Sequence, residues 1–165
     1  RFIEVWSGLP TLYLLIILAS IVEPNFWWLL GLLLLFSWMS FVGVVRAEFL
    51  RGRNFEYVRA AQALGVSNKN IIFRHLLPNA MVATITFIPF TLAGSVTVLT
   101  SLDFLGIGLP PPIPSWGRML VDSKEYWVDM PWMGIFPGLA IMFTVLGFNL
   151  LGDGLRDAFD PKMKD

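Results

Sequence analysis

The sequence predicts an all-α protein that crosses a membrane with four helices. Hydrophobic residues make up 56% of the chain and charged residues only 15%, and the mean hydropathy is +0.67. This composition, with its long charge-free runs, is typical of a membrane protein rather than a soluble domain. The formal net charge is zero, so bulk electrostatics indicate no nucleic-acid partner. The chain has no cysteine, which excludes disulfides and thiolate metal sites.

Four apolar runs without a charged residue are interpreted as the spans. They cover residues 8–22, 26–45, 80–102 and 132–151. The first run is shorter than the roughly 20 residues that a bilayer requires, but Trp6 and Ser7 can extend it. The turn Glu23-Pro24-Asn25 separates the first two runs, which predicts an antiparallel helical hairpin.

A polar, basic stretch, residues 54–79, lies between the second and third runs. Its pattern predicts two short helices with a bend between them. Asn54 is expected to cap the first helix, and Gly65 to follow its end in the left-handed conformation. Ser67 is expected to cap the second helix, which should stop at Pro78. On spacing alone, an ordinary loop of a membrane protein explains the stretch equally well.

The segment between the third and fourth spans, residues 103–131, is rich in Gly and Pro and predicts a largely extended connector. Within it, Ser115 is expected to cap a short interfacial helix that reaches Tyr126. Asp103 opens the connector, and its role is left open. Residues 152–165 are interpreted as a polar tail.

Basic residues predict the orientation, because short cytoplasmic loops are enriched in Lys and Arg. If residues 46–78 are cytoplasmic, ten of the twelve basic residues lie inside. These ten are Arg1, Arg46, Arg51, Arg53, Arg59, Lys69, Arg74, Arg156, Lys162 and Lys164. Arg118 and Lys124 lie outside, and four spans then put both termini of this segment in the cytoplasm.

The sequence contains no recognisable catalytic or cofactor-binding motif. None of the four lysines follows a Gly, so there is no phosphate-binding loop, and the chain is not expected to bind ATP. His75 is the single histidine, which excludes paired-histidine metal sites. No charged residue lies inside a predicted span, so an ion-coupled site or a catalytic base at membrane depth is not indicated.

Hydroxyl and amide groups are the polar groups that remain inside the spans. Thr84, Thr91 and Ser95 share one helix face and are candidates for lining a passage. The alternative is that their hydroxyls bond to carbonyls of their own helix. Asn149 in the last span is expected to make a hydrogen bond between helices.

The 54–79 stretch resembles the cytoplasmic loop of ABC-importer permeases. That loop has the form Glu-Ala-Ala, three residues, Gly, nine residues, Ile, one residue, Leu-Pro. The positions that match are Ala60, Ala61, Gly65, Leu77 and Pro78. Arg59 replaces the Glu and His75 replaces the Ile, so ionic contacts at these two positions do not follow from the resemblance.

Two further stretches, SLDFLGIGLPPPIPSWGRML and LGFNLLGDGLRDAFDPKM, resemble the dipeptide, oligopeptide and nickel branch of that family. RFIEVWSGLPTLY, PNFWWLL and GVVRAEFLR bring the chain nearer to permeases for microcin-C-like peptides. The resemblance implies the type I ABC importer (MetI-like) fold. Since such permeases have about six spans, residues 1–165 are expected to be the C-terminal part of one transmembrane domain. Residues 46–78 would be its cytoplasmic coupling loop and 103–131 its extracytoplasmic connector.

The function that the resemblance implies is that of a permease in a bacterial inner membrane that imports peptides, with nickel or another small solute as the alternative. Its partners would be a second permease subunit, two ATPase subunits that hold ATP and Mg²⁺, and an extracytoplasmic binding protein. The docking surface for the ATPases is assigned to Arg59, Ala60, Ala61, Leu64, Gly65, Leu77 and Pro78. Other interpretations are a membrane scaffold subunit without transport activity and, third, an intramembrane enzyme.

Overall fold

The computed structural model describes residues 1–22 and 25–159, and the regular elements in these ranges are all helical. The helices are α1 (Phe2–Ser7), α2 (Thr11–Ile21), α3 (Phe26–Gly52), α4 (Glu56–Ala63), α5 (Asn68–Phe104), α6 (Trp116–Tyr126) and α7 (Trp132–Phe159). The all-α prediction is therefore confirmed.

Three helices of the described ranges, α3, α5 and α7, are long and apolar enough to cross a membrane. They correspond to three of the four predicted spans. The remaining predicted span, residues 8–22, is the first in the chain and contains only the 11-residue helix α2. At 1.5 Å per residue α2 is about 16 Å long, roughly half of a bilayer's hydrocarbon core. It packs beside α3, where Leu15, Leu32 and Leu102 form one buried cluster. The turn predicted at Glu23-Pro24 lies outside the described residues.

The three long helices extend well past the predicted ends of their spans. α3 continues to Gly52, α5 begins at Asn68, and α7 runs to Phe159. The predicted loop, residues 46–78, is therefore largely helical, and so is the whole described part of the predicted tail, residues 152–159. Arg, Glu and Lys are good helix formers, so leaving the apolar region does not by itself end a helix.

Helix α5 is the centre of the bundle and packs against α3, α6 and α7. Two glycines bring neighbouring helices close to it. A Cβ at Gly52 would lie 2.6 Å from Leu76 Cδ2, and one at Gly152 would lie 2.6 Å from the Phe90 ring. Small residues at such crossings allow close van der Waals packing between membrane helices. Within the described residues, the interhelical hydrogen bond predicted for Asn149 is not formed. Its Nδ2 donates to Val145 O of the same helix at 2.9 Å.

The connector turns sharply at the end of α5. Gly106 has φ +80°, and its N–H donates to Asp103 O while Ile107 N–H donates to Leu102 O, each at 3.0 Å. These two bonds form a Schellman motif. The Asp103 side chain, only 5% exposed, accepts a further bond at Oδ1 from Leu109 N–H at 2.9 Å. Asp103 therefore holds the connector folded against the end of α5.

The short helix predicted in the connector is confirmed as α6. Ser115 Oγ accepts a hydrogen bond from Arg118 N–H at 3.2 Å, and the helix ends at Tyr126 as expected. Two glycines fit tightly around Asp103 where α6 approaches α5. A Cβ at Gly108 would overlap the Asp103 carboxylate, and one at Gly117 would lie 2.4 Å from Asp103 Cβ.

Candidate functional site

Helix α4, which carries most of the predicted docking residues, begins one residue later than expected. Its N-cap position is Phe55, which makes no side-chain capping bond. The prediction that Asn54 caps it is wrong, because Asn54 lies in the turn after α3 and bonds back to the last residues of that helix. Its N–H donates to Arg51 O at 3.2 Å, and its Nδ2 lies 3.4 Å from Leu50 O.

The bend after α4 is confirmed at Gly65, whose φ is +74°. Gly65 N–H donates to Gln62 O and Val66 N–H donates to Ala61 O, each at 3.0 Å. This is a second Schellman motif, and it closes α4 by satisfying two of its last carbonyls. Ser67 caps the following helix as predicted, since its Oγ accepts from Asn70 N–H at 3.5 Å.

The second helix does not stop at Pro78, and that prediction is wrong. Residues Asn68–Asn70 are α-helical, Ile71–Leu76 form a π-helical turn, and Leu77–Phe104 continue as α-helix. Leu77 N–H donates to Ile72 O, five residues back, at the end of the π-helical turn. Pro78 is the second residue of the α-helical part, and the changed hydrogen-bond register of the π-helical turn lets the helix continue through it.

A buried apolar side chain seats α4 on the start of α5. Val58 is 0% exposed and clusters with Ile71 and Leu76, which are also buried. Phe49 and Val66 pack around the same cluster. Full burial of a valine side chain contributes about 1.5 to 3 kcal/mol.

A polar contact joins the two helices beside this cluster. Asn79 Nδ2 donates to Tyr57 Oη at 2.9 Å and to His75 O at 3.1 Å. The Tyr57 and His75 ring centroids lie 6.3 Å apart. Sequence reasoning identified neither Tyr57 nor Val58 as an anchor. The spacing of Val58 and Ala61, three residues apart, was the available signal for an inward-facing stripe on α4.

The predicted docking residues divide into three groups in the structure. Arg59, Ala60, Leu64 and Gly65 are exposed, and Leu64 is 83% exposed. Ala61 is half-buried and packs against the Val58 cluster. Leu77 and Pro78 lie on α5, the first half-buried and the second exposed. The exposed group, which we name the α4 tip (Arg59, Ala60, Leu64 and Gly65), combines one large apolar side chain with small neighbours and a cation. Such a surface can insert into a groove of a partner protein.

The predicted passage residues are only partly brought together. Thr91 and Ser95 line a cavity of about 350 Å³ between α3 and α5, opposite Ser37 and Ser40. Thr84 is not among its lining residues. All three hydroxyls donate to carbonyls of their own helix, at 3.0 Å for Thr84, 3.3 Å for Thr91 and 2.9 Å for Ser95. The backbone bonds do not prevent Thr91 and Ser95 from facing the cavity.

The whole chain, residues 1–165, matches the family described as binding-protein-dependent transport system inner membrane component. The chain is 63% identical over 163 residues to the inner membrane ABC transporter permease protein YejE of Escherichia coli, covering 98% of this chain and 47% of that protein. It is 60% identical over 164 residues to the peptidoglycan transport system permease protein YejE of Agrobacterium fabrum, covering 98% and 42%. It is 38% identical over 164 residues to the dipeptide transport system permease protein DppC of Alkalihalophilus pseudofirmus, covering 99% and 54%.

The chain thus spans about half the length of the curated relatives it matches. Each match nevertheless runs through nearly all of this chain, including α4, the connector and α7. The chain belongs to the family of inner membrane permease components of binding-protein-dependent ABC transport systems.

Proposed function

We propose that this chain is part of a permease that imports peptides and couples their passage to ATP hydrolysis in partner subunits through α4. The observation that carries the proposal is the α4 tip, where Leu64 projects at 83% exposure from a helix whose other face is fixed by fully buried Val58. A firmly seated helix with an exposed apolar end is suited to receive a displacement from a partner. Peptide is favoured over nickel because relatives are described as dipeptide and glutathione permeases.

The proposed partners are a second permease subunit, two ATPase subunits with ATP and Mg²⁺, and an extracytoplasmic binding protein. The exposed apolar surface of α3, α5 and α7 fits a lipid membrane and neighbouring membrane helices. Peptide uptake into vesicles that contain the complete transporter distinguishes a transport role from a scaffold role. We expect ATP-dependent peptide uptake that is lost when the ATPase subunits are omitted. Uptake that persists without them, or none with them, would contradict the proposal.

The docking role of the α4 tip is tested by Leu64→Asp. If Leu64 is one of the few residues that carry most of the interface energy, losing it costs about 2 kcal/mol or more, so association with the ATPase subunits should weaken at least about tenfold. Asn68→Asp is the matched control, since it adds the same charge at an exposed position of the next helix. Co-purification from membranes measures both variants. Unchanged association of Leu64→Asp would exclude the α4 tip as the docking surface.

We propose that α4 and both ends of the described chain face the cytoplasm, with α1 and α2 together making the first crossing. Ile3 borders the same surface hollow as Arg46 of α3, and Leu15 clusters with Leu32, so α1 and α2 run along α3 in the opposite direction.

Asn68→Cys, exposed at the start of α5, and Val128→Cys, 92% exposed between α6 and α7, should react with an impermeant thiol reagent from opposite sides of the membrane. Val128 is preferable to Ser123, which is buried against α7. Residues 1–165 contain no native cysteine, so labelling within this segment reports only the introduced one. Labelling of both positions from one side would contradict this orientation.

The passage is proposed to include the cavity between α3 and α5. Thr91→Trp and Ser95→Trp should each lower uptake several-fold while the transporter still assembles, because the added ring fills the space that their side chains border. Thr84→Trp serves as the comparison, since Thr84 does not line this cavity. Equal uptake by the wild type and the Thr91 and Ser95 variants would assign the cavity to packing.

A further inference from the structure

Helix α4 depends on contacts with the bundle for its position. It has only eight residues, and helices this short are marginal in water without tertiary packing. Residues 53–55 join it to α3, and residues 64–67 join it to α5. Any displacement imposed on the α4 tip must therefore reach the long helices through these short connections or through side-chain contacts.

The two side-chain contacts of α4 with α5 differ in what they can transmit. The Val58 cluster is apolar, and apolar contact is non-directional, so it holds α4 down while permitting small rotations. The hydrogen bond from Asn79 to Tyr57 is directional, with a donor–acceptor distance of 2.9 Å. Asn79 is itself held to its own helix by the bond to His75 O. Although both side chains are exposed, the two bonds together orient the Asn79 amide on α5 and join Tyr57 to it.

The π-helical turn orients the Asn79 side chain towards α4. A π-helical turn accommodates one more residue than an α-helical turn, and each α-helical residue rotates the chain by about 100°. Without the turn at Ile71–Leu76, Asn79 would point about 100° away from its present direction, out of reach of Tyr57. His75 lies in the same turn. Its carbonyl accepts the hydrogen bond from Asn79, and its ring lies near the Tyr57 ring.

We propose that Tyr57 and Asn79 are positioning residues that pass the displacement of α4 to membrane helix α5. This proposal rests on the proposed function, since it specifies how the docked helix acts on the membrane domain. Asn79 lies just before the apolar stretch of α5 that borders the cavity at Thr91 and Ser95. A push on α4 would consequently be applied to the helix that forms a wall of that cavity.

The proposal is tested with Tyr57→Phe, which removes only the hydroxyl, and with Asn79→Ala, which removes both side-chain bonds. The matched control is Tyr126→Phe on α6, whose hydroxyl makes no hydrogen bond within the described residues. Each variant is prepared in the complete transporter. Amide hydrogen exchange of residues 56–63 reports attachment of α4, and peptide transported per ATP hydrolysed reports coupling.

Tyr57→Phe and Asn79→Ala should raise exchange in α4 by between about twofold and tenfold, the range that one net hydrogen bond supports. Both should lower the peptide transported per ATP hydrolysed by a similar factor, with ATPase association and hydrolysis unchanged. The double variant should be no worse than Asn79→Ala, because both changes break the same bond. The control should alter neither quantity.

Unchanged exchange in both variants would overturn the attachment, whether or not the protein transports peptides. Raised hydrogen exchange in α4 with an unchanged amount of peptide transported per ATP hydrolysed would contradict the proposal that this contact passes the displacement to α5. A merely structural role would lower abundance, hydrolysis and transport together, and this outcome would also overturn the proposal. If the proposed function itself is wrong, the wild type shows no ATP-dependent peptide uptake, and this result differs from each of the outcomes above.

Discussion

Gly117→Ala should destabilise the membrane domain by about 3 kcal/mol, the upper part of the range for overpacked sites. The added Cβ would lie 2.4 Å from Asp103 Cβ and 2.6 Å from Thr100 O, and the latter belongs to the backbone of α5. Neither atom can move without displacing the helix end. The connector would have to detach from α5 or carry the strain. Thermal unfolding of the purified protein in detergent, followed by circular dichroism, measures the loss.

Gly147→Ala on α7 is the matched control for this substitution. A Cβ at Gly147 would meet nothing within 4 Å, so the effect should range from neutral to a stabilisation of at most about 1 kcal/mol. If both variants unfold at the same temperature as the wild type, the contact of Asp103 with α6 is not formed.

Gly65→Val should leave the protein in the membrane but weaken its association with ATPase subunits. Gly65 has φ +74°, and a side chain in this region carries strain of about 1 to 2 kcal/mol, most for a β-branched residue. A Cβ there would meet nothing within 4 Å, so the penalty is conformational rather than steric. If the bend opens to relieve it, the α4 tip loses its present arrangement. Association and uptake should fall by about fivefold to thirtyfold, the factor that such an energy represents.

Gly65→Asn should be milder, because Asn tolerates the left-handed conformation better. Gly154→Val on α7 is the control for the added bulk, since that glycine is helical and has open space around it. Co-purification of the ATPase subunits and uptake in vesicles measure all three variants. Equal results for wild type, Asn and Val at position 65 would show that the bend does not contribute to docking.

The membrane class, the family and the three long helices could be predicted from the sequence. Apolar runs of about 20 residues have few structural solutions, because a backbone in lipid must satisfy its own hydrogen bonds. Gly65 and Ser115 were also assigned correctly, since a positive φ and a capping hydroxyl depend on residues within one helical turn. The family resemblance was confirmed because it rested on three separate stretches in order.

Helix boundaries that were inferred from single residues were predicted less successfully. Pro78 was expected to end a helix, but the helix continues through it directly after a π-helical turn with a changed hydrogen-bond register. Asn54 was expected to cap α4, yet α3 extends far enough to use its backbone N–H. The first span was expected as one helix over residues 8–22, extended by Trp6 and Ser7, whereas the structure divides this part of the chain between α1 and α2.

The sequence by itself determined that this chain spans a membrane, bends at Gly65 and belongs to an ABC permease family. These properties depend on hydropathy, on backbone preference and on motifs, all of which are local in the chain. Only the tertiary structure decided that Val58 is buried, that Tyr57 meets Asn79, and that Asp103 is enclosed by two glycines. Tyr57 and Asn79 are 22 positions apart, and nothing in either residue's neighbourhood specifies the other. Their contact exists because the lengths of α3 and α5 and the π-helical turn bring α4 against one particular face of α5.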